Sequence, residues 1–306
     1  MNHLRLILFR AGYNLPVFAA EAVGIFARRG ITLAIDYTPS SRATGQGLID
    51  GTWQLGHTAA DDLIEDNVER GADLFMFMGL HSGFLRLIAR SSLRAVGDLR
   101  GQRLAVDSAT SGFVLVLRKI LALSGLGPGE YELVPVGAWE RRFEALMAGG
   151  VAATLLSAPW DLKAQAQGCR CLARAEEFVP HYQATGGATT RRWARANRDC
   201  LVRYIAAYVD GVRWILDPGN RDAAIRVLIE RGGVEPEFAA ATFDVLIDPA
   251  TGLYLDAGLN LPGWEAAIAL RHEMGLLSPP LPGPDQFCDP SYHAEALALL
   301  DAGARR

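Results

Sequence analysis

The sequence predicts an α/β protein with two lobes built on mixed, mostly parallel β-sheets. Short apolar segments with strand character alternate with helical segments as far as Ser157, and this alternation favours parallel sheets with helical crossover connections. The chain has 306 residues, 50% of them hydrophobic, which is enough for two cores. From Thr190 onward the pattern changes to helices.

The first α/β unit is predicted from hydrophobic periodicity and from turn residues. Pro16 lies where the first turn of a helix tolerates proline, and Gly30 follows two arginines as a stop signal. The segments are, in order, strand LRLILF, helix PVFAAEAVGIFARRG, strand ITLAIDY, a helix within PSSRATGQGLIDG, strand QLGHT, helix AADDLIEDNVERG and strand DLFMFMGL.

The second unit repeats this pattern, and a helical region follows it. Strand RLAVD precedes a helix from Ser111 to Leu123, a Gly-Pro-Gly break and strand YELVPV, after which ERRFEALMAGG is helical and AATLLS is a strand. Beyond Thr190, an apolar stripe predicts a long helix that ends at Asp217; its members are Leu201, Ile205, Tyr208, Val212 and Ile215.

Composition and motifs exclude several classes of function. The net charge of −4 and the lack of a basic run argue against nucleic-acid binding, and no apolar run is long enough for a membrane span. The N-terminus shows no signal-peptide pattern, which predicts a cytoplasmic protein as written and a periplasmic one if a leader has been removed. Phosphate-loop, zinc-helix and nucleophile-elbow motifs are absent, so neither a cofactor nor a metal is predicted.

Five blocks of the sequence, in collinear order, resemble the type II periplasmic-binding-protein fold. They are similar to the nitrate, sulfonate, taurine and thiamine-precursor binding proteins with that fold. The blocks are PVFAAEAVGIFARRGITLAIDY, GLIDGTWQLGHT, VGDLRGQRLAVDSATSGFVLVLRKILALSGLGPGEYELVPVG, ALMAGGVAATLLSAPW and RANRDCLVRYIAAYVDGVRWILDPGNRDAAIRVLIE.

The resemblance implies two α/β lobes joined by crossing strands, with a ligand in the cleft between them. Residues 1–82 and 187–306 would form the first lobe, and residues 83–186 the second. The implied function is that of an ABC-transporter solute-binding protein for a small organic anion or heteroaromatic compound, such as a sulfonate, carboxylate or pyrimidine. Under that function the partners are the small-molecule ligand and a transporter permease.

Loops that follow the strands of the second unit supply candidate ligand-binding residues. In DSATSG, the hydroxyls of Ser108, Thr110 and Ser111 and the backbone N–H groups could hold an anion at a helix start, or a hydroxyl could simply cap the helix. Trp139 could stack on a planar ligand, and Arg141 could grip a carboxylate or sulfonate or remain solvated. Trp160 could reach the cleft or pack internally.

Matching loops of the first unit supply the remaining candidates. Tyr13, Asn14, Ser41 and Arg42 follow the first two strands. Thr58 and Asp61 have the spacing of a capping box. His57 could donate to a ligand, transfer protons or serve as a structural histidine. His81 and Ser82 could face the cleft, although the glycines around them indicate a hinge.

The sequence leaves three functions open on this fold. The first is the solute-binding protein. The second is a cytoplasmic, cofactor-free lyase or decarboxylase acting on an aromatic or small carboxylate, in which His57 or His81 moves a proton. The third is an intracellular ligand-sensing module that uses the same cleft.

Overall fold

The computed structural model describes residues 1–110 and 112–304, and these contain two five-stranded β-sheets. The strands are β1 Asn2–Leu8, β2 Ile31–Tyr37, β3 Leu55–Ala59, β4 Leu74–His81, β5 Arg86–Ala89, β6 Arg103–Val106, β7 Glu132–Pro135, β8 Ala153–Leu156, β9 Arg170–Arg174 and β10 Thr185–Thr190. The α-helices are α1 Leu15–Ala22, α2 Ile25–Arg28, α3 Ser41–Ile49, α4 Ala60–Arg70, α5 Val114–Leu123, α6 Trp139–Met147, α7 Trp160–Ala166, α8 Arg191–Ala196, α9 Arg198–Leu216, α10 Arg221–Glu230, α11 Pro236–Leu246, α12 Leu261–Glu273 and α13 Ser291–Ala304.

The two sheets share one topology. The first has the order β2-β1-β3-β10-β4 and the second the order β7-β6-β8-β5-β9. In the first, β1 is parallel to β2 and β3, whereas β10 is antiparallel to its neighbours β3 and β4. In the second, β6 is parallel to β7 and β8, whereas β5 is antiparallel to β8 and β9. Each sheet therefore has four strands that run in the same direction and one strand that is antiparallel to them, which confirms the predicted mixed, mostly parallel sheets.

Residues 82–85 and 175–184 are the two connections that join the sheets. The first follows β4, whose eight residues are all buried because the strand is apolar on both faces. In this connection Gly83 has a φ of 144° and Phe84 has a φ of 53°, a left-handed conformation that is uncommon for a bulky side chain. The chain thus turns sharply as it passes from one sheet to the other.

The helices depart from the sequence prediction in three places. The first predicted helix is interrupted at Gly24, whose φ of 72° ends α1 and starts α2. The long helix after Thr190 is divided at Asn197, between α8 and α9. Helix α5 begins at Val114 and not at Ser111, and Ser111 itself lies outside the described residues. No helix within residues 1–110 and 112–304 is long and apolar enough to cross a membrane.

Helix α9 packs closely against α1, and Gly211 permits this approach. A Cβ atom at Gly211 would lie 2.4 Å from the carbonyl oxygen of Pro16 and 3.1 Å from the Cβ of Ala20. We expect Gly211→Ala to lower the free energy of unfolding by about 1–3 kcal/mol, because overpacking forces the two helices apart. Equilibrium unfolding in urea measures this loss.

Gly303→Ala is the matched control, because Gly303 lies in α13 and a Cβ atom added there would meet no atom within 4 Å. Alanine has the higher helix propensity, so the control should stay within about 1 kcal/mol of the parent. Equal losses in both variants would contradict the close packing of α9 on α1.

Candidate functional site

A cavity lies between the two sheets, at the carboxyl ends of β1, β3, β6 and β8. This is the position where open α/β sheets bind ligands. The cavity is narrow, with about 500 Å³ of empty space when its open mouth is included. Its lining residues are Phe9, Tyr13, Thr58, Ala59, Asp62, Ala105, Val106, Asp107, Gly112, Phe113, Val114, Leu117, Trp139, Arg142, Leu155 and Thr185.

Aromatic side chains from both sheets form much of the cavity wall. Phe9 and Tyr13 follow β1, whereas Phe113 and Trp139 lie at the starts of helices α5 and α6. The rings of Phe113 and Trp139 have centroids 5.8 Å apart and are inclined by 35°. Burial raises the pKa of Tyr13, so its phenol keeps the proton. These faces suit a flat apolar group with polar atoms at its edge.

Arg142 brings a buried positive charge to the cavity. Its side chain is 4% exposed, its guanidinium lies 4.1 Å from the centroid of the Trp139 ring, and one N–H group donates to the carbonyl of Leu155 at 3.1 Å. Its Nε atom is buried without a hydrogen-bond partner. Burial lowers the pKa of Arg142 to about 10, so the side chain is still charged at neutral pH.

Two carboxyl groups face the cavity from opposite sheets. Asp107, which follows β6, accepts hydrogen bonds from the backbone N–H of Ser41 at 3.1 Å and from its hydroxyl, while its Oδ1 is unpartnered. Asp62, in the first turn of α4, has a buried and unpartnered Oδ1. Burial raises the pKa of Asp62 well above its ordinary value, and the charges of Asp61 and Asp107 raise it further. Asp62 therefore favours its protonated form.

His57 lies outside the cavity lining, in a closed hydrogen-bond network. Its Nδ1 is 2.8 Å from Oδ1 of Asn14, and its Nε2 is 3.1 Å from the hydroxyl of Tyr204. Asn14 donates in turn to the carbonyl of Phe9 at 2.8 Å. Burial lowers the pKa of His57 to about 3, so the ring is neutral. His57 and Asn14 thus fix the loop that carries Tyr13, and neither contacts the cavity.

His81 and Ser82 also lie away from the cavity. His81 accepts from the backbone N–H of Gly83 at 3.0 Å, and its ring centroid is 4.6 Å from that of Tyr13. Burial, together with the nearby His57, lowers the pKa of His81 to about 3. Ser82 lines a separate groove beside residues 249–260. A side chain that transfers a proton to or from a ligand has to reach the cavity. Within the described chain, neither His57 nor His81 lines it.

The remaining candidates are divided between the cavity and its surroundings. Tyr13, Thr58 and Trp139 line it, whereas Arg141 is exposed, and its neighbour Arg142 takes the place predicted for it. Arg42 and Thr110 are exposed, Ser108 is half-buried outside the lining, and Ser111 lies outside the described residues. Ser41 reaches the site through Asp107. Trp160 donates to the carbonyl of Arg10 at 3.0 Å and so holds the two sheets together.

Several lining residues were not among the predicted ones. They are Phe9, Asp62, Asp107, Phe113, Arg142 and Thr185. Asp107 opens the DSATSG loop, and its position at a strand end could have identified it. The predicted capping box is wrong, because α4 starts after Ala59 with no side-chain cap and Asp61 accepts a hydrogen bond from Tyr182. Among the residues described, no cluster of three His, Cys, Asp or Glu side chains could hold a metal ion.

Comparison with known proteins identifies the fold. A family model described as NMT1/THI5 like matches residues 12–221, while no curated protein sequence matches the chain. The alkanesulfonate-binding protein SsuA from Xanthomonas axonopodis pv. citri, solved bound to MOPS, is similar with 21% identity and a TM-score of 0.78, covering 94% of this chain and 98% of that one. The periplasmic nitrate-binding protein NrtA from Synechocystis PCC 6803 has 13% identity and a TM-score of 0.85, covering 99% and 90%.

An enzyme is also among the similar structures. The desulfurization enzyme DSZB has 16% identity and a TM-score of 0.66, with 97% of this chain and 99% of that one covered. Identities this low establish the fold and not the activity. The comparisons confirm the two-lobed type II periplasmic-binding-protein fold predicted from the sequence.

Asp62 predicts a pH-dependent stability difference. A carboxyl whose pKa is raised in the folded state binds its proton more tightly there, so its contribution to stability falls as pH rises above the ordinary Asp value. Asp62→Asn removes the titrating group and with it this pH-dependent loss of stability. We expect the stability of Asp62→Asn relative to the parent to increase with pH, by at most about 1.4 kcal/mol per pH unit.

Urea unfolding at several pH values, from pH 8 to below the ordinary Asp pKa of 3.8, measures this difference, and Asp36→Asn is the control of opposite sign. Asp36 accepts hydrogen bonds from Trp53 and Arg5, which hold the pKa of its carboxyl below the ordinary value. Its replacement should lower stability near neutral pH and have less effect as pH falls through the folded-state pKa. If the stability of Asp62→Asn relative to the parent did not rise with pH, folding would not raise the pKa of Asp62 and our interpretation would be wrong.

Proposed function

Because the chain belongs to the NMT1/THI5-like family, we propose that it is a solute-binding protein that encloses a small molecule in the cavity between its lobes. The observation that carries this proposal is the convergence of Arg142, Asp62 and Asp107 on one aromatic-walled space. Each of these side chains has a buried nitrogen or oxygen without a hydrogen-bond partner in the described chain. Most buried polar atoms in folded proteins are hydrogen-bonded, and a ligand in this cavity would complete the hydrogen bonds of these three groups together.

We infer that the ligand is a planar heteroaromatic molecule with N–H donors and an acceptor, such as an aminopyrimidine. The ring would lie against Trp139, Asp107 would accept its N–H groups and the Nε of Arg142 would donate to a ring nitrogen. With Asp62 protonated, Arg142 and Asp107 offset each other, so a neutral ligand suits the site. A sulfonate or carboxylate would instead bring a second negative charge close to the carboxylate of Asp107.

The contacts between the lobes support closure around the ligand. Backbone N–H groups of Gly12 and Ala138 donate to carbonyls of the other lobe, to Ala158 and Pro39 respectively, each at 3.1 Å. Ser41 contributes a further contact through Asp107. A ligand could enter the narrow cavity only when these contacts open, which is how hinged two-lobed proteins admit their ligands. We propose the lobe boundaries stated above, with residues 82–85 as part of the hinge.

Delivery of the ligand to an importer completes the proposal. NrtA is a periplasmic protein, and the ligand-binding component of an ABC-type import system from Staphylococcus aureus is also similar in structure. By analogy we propose an ABC-transporter permease as partner and a periplasmic location. The lyase alternative depended on proton transfer by His57 or His81. Neither ring lines the cavity, and both have a strongly lowered pKa, which makes the binding function the better supported one.

The adjacent arginines provide a matched test of the site. Arg142→Gln should raise the Kd for 4-aminopyrimidine by about tenfold or more, because it removes a charged donor from a buried site. Arg141→Gln should leave the Kd within about twofold, because Arg141 is exposed. Calorimetric titration of both variants measures the difference, after circular dichroism has confirmed that each is folded.

Asp107→Asn tests the ligand class with the same titration. It should weaken binding of 4-aminopyrimidine and strengthen binding of benzoate and methanesulfonate, because a negative charge is removed. If the parent binds methanesulfonate more tightly than 4-aminopyrimidine, the ligand is an anion and the heteroaromatic assignment fails. Mass spectrometry of the recovered ligand should show it unchanged, whereas a product would make the chain an enzyme.

A further inference from the structure

A second groove crosses from one lobe to the other and shares no lining residue with the cavity. It has about 900 Å³ of empty space, open solvent included. One wall consists of the edge of the second sheet and of α7, and the other of α11 and the loop after it. This loop is attached to the end of β4, because the backbone N–H of Tyr254 donates to the carbonyl of Leu80 at 2.8 Å. The groove therefore lies beside the first connection between the lobes.

Two arginines stand side by side on the first wall. Arg86 on β5 and Arg174 on β9 are directly opposite partners in an antiparallel pair, so their side chains project from the same face. Like charges in this arrangement repel each other. Arg86 forms an ion pair with Glu176 at 2.9 Å, whereas Arg174 forms no ion pair with any residue that the structure describes. The wall thus presents a positive charge that an anionic group could bind.

Asp161 supplies the opposite charge from the start of α7. Its side chain is 5% exposed, and its Oδ1 is buried with no hydrogen-bond partner. Across the groove, Asp244 pairs with Arg221 at 2.7 Å, and Asp248 accepts from the N–H groups of its own loop. Asp161 is therefore the carboxyl of the groove whose hydrogen bonding is incomplete, and a group that donates N–H bonds would complete it.

We propose that this groove is a second ligand site, which binds a small zwitterion such as a free α-amino acid. The carboxylate of the ligand would contact Arg174, with Arg86 beside it, and its ammonium group would donate to Oδ1 of Asp161. The carboxylate of an amino acid matches the two arginines and its ammonium group matches Asp161, whereas a simple anion would leave Asp161 without a hydrogen-bond donor. The ligand would be held against both lobes at the side of the hinge.

A panel of the free L-amino acids, followed by calorimetric titration of the most stabilising one, tests the proposal on the full chain. Thermal unfolding should shift upward with that amino acid, because a ligand that binds only the folded state stabilises it. Its N-acetyl derivative and its carboxamide should each bind about tenfold more weakly or worse, because each lacks one charge. A derivative that binds as tightly as its parent would overturn the zwitterion assignment.

Variants locate the site and separate it from the cavity. Asp161→Asn and Arg174→Gln should each abolish the thermal shift caused by the amino acid. Arg170→Gln, on the same strand β9 and outside the groove, should retain it, and so should Arg142→Gln, which alters only the cavity. A shift that survives both groove variants, or no shift with any amino acid, would contradict the second site. Neither result bears on whether the cavity binds 4-aminopyrimidine.

Discussion

The buried charge of Arg142 is the constraint on which the rest of the site depends. A guanidinium in an apolar environment is unfavourable unless opposite charges and hydrogen-bond acceptors surround it. Here the carbonyl of Leu155, the face of Trp139 and the carboxyl of Asp107 share that task. Since Asp107 also accepts hydrogen bonds from Ser41 in the other lobe, one carboxyl group contributes both to the charge balance of the cavity and to the contacts between the lobes.

The loop after β1 is fixed by a separate hydrogen-bond network behind the cavity wall. His57, Asn14 and Tyr204 satisfy one another's hydrogen bonds in a fully buried position. Such a network is stabilising when complete and is sensitive to the loss of any member. It holds Tyr13 against the cavity while the imidazole stays neutral. His57, a residue type common in catalysis, thus supports the cavity wall from behind.

Sequence patterns predicted the order of elements well and the orientation of individual side chains less well. The sheets follow from alternation and burial, but β5, β9 and β10 are short or rich in glycine and threonine, and only pairing with neighbouring strands defines them. Side chains alternate along a strand, so Thr58 faces the cavity and His57 faces the opposite side. On α6, Arg142 shares the buried stripe with Trp139 and Leu146, a position where a sequence pattern predicts an apolar residue.

Helix α4 shows how the site can be distinguished from an ordinary acidic surface. Its first turn favours acidic residues because of the helix dipole, yet five acids on one helix repel each other. Four of them have partners: Tyr182 for Asp61, Arg70 for Asp66 at 2.5 Å, and the buried Arg271 for Glu65 and Glu69 at 3.9 and 3.2 Å. Asp62 forms no ion pair within the described chain and points into the cavity. The folding of this helix leaves Asp62 incompletely paired, and a ligand that hydrogen-bonds to Asp62 would stabilise the folded state.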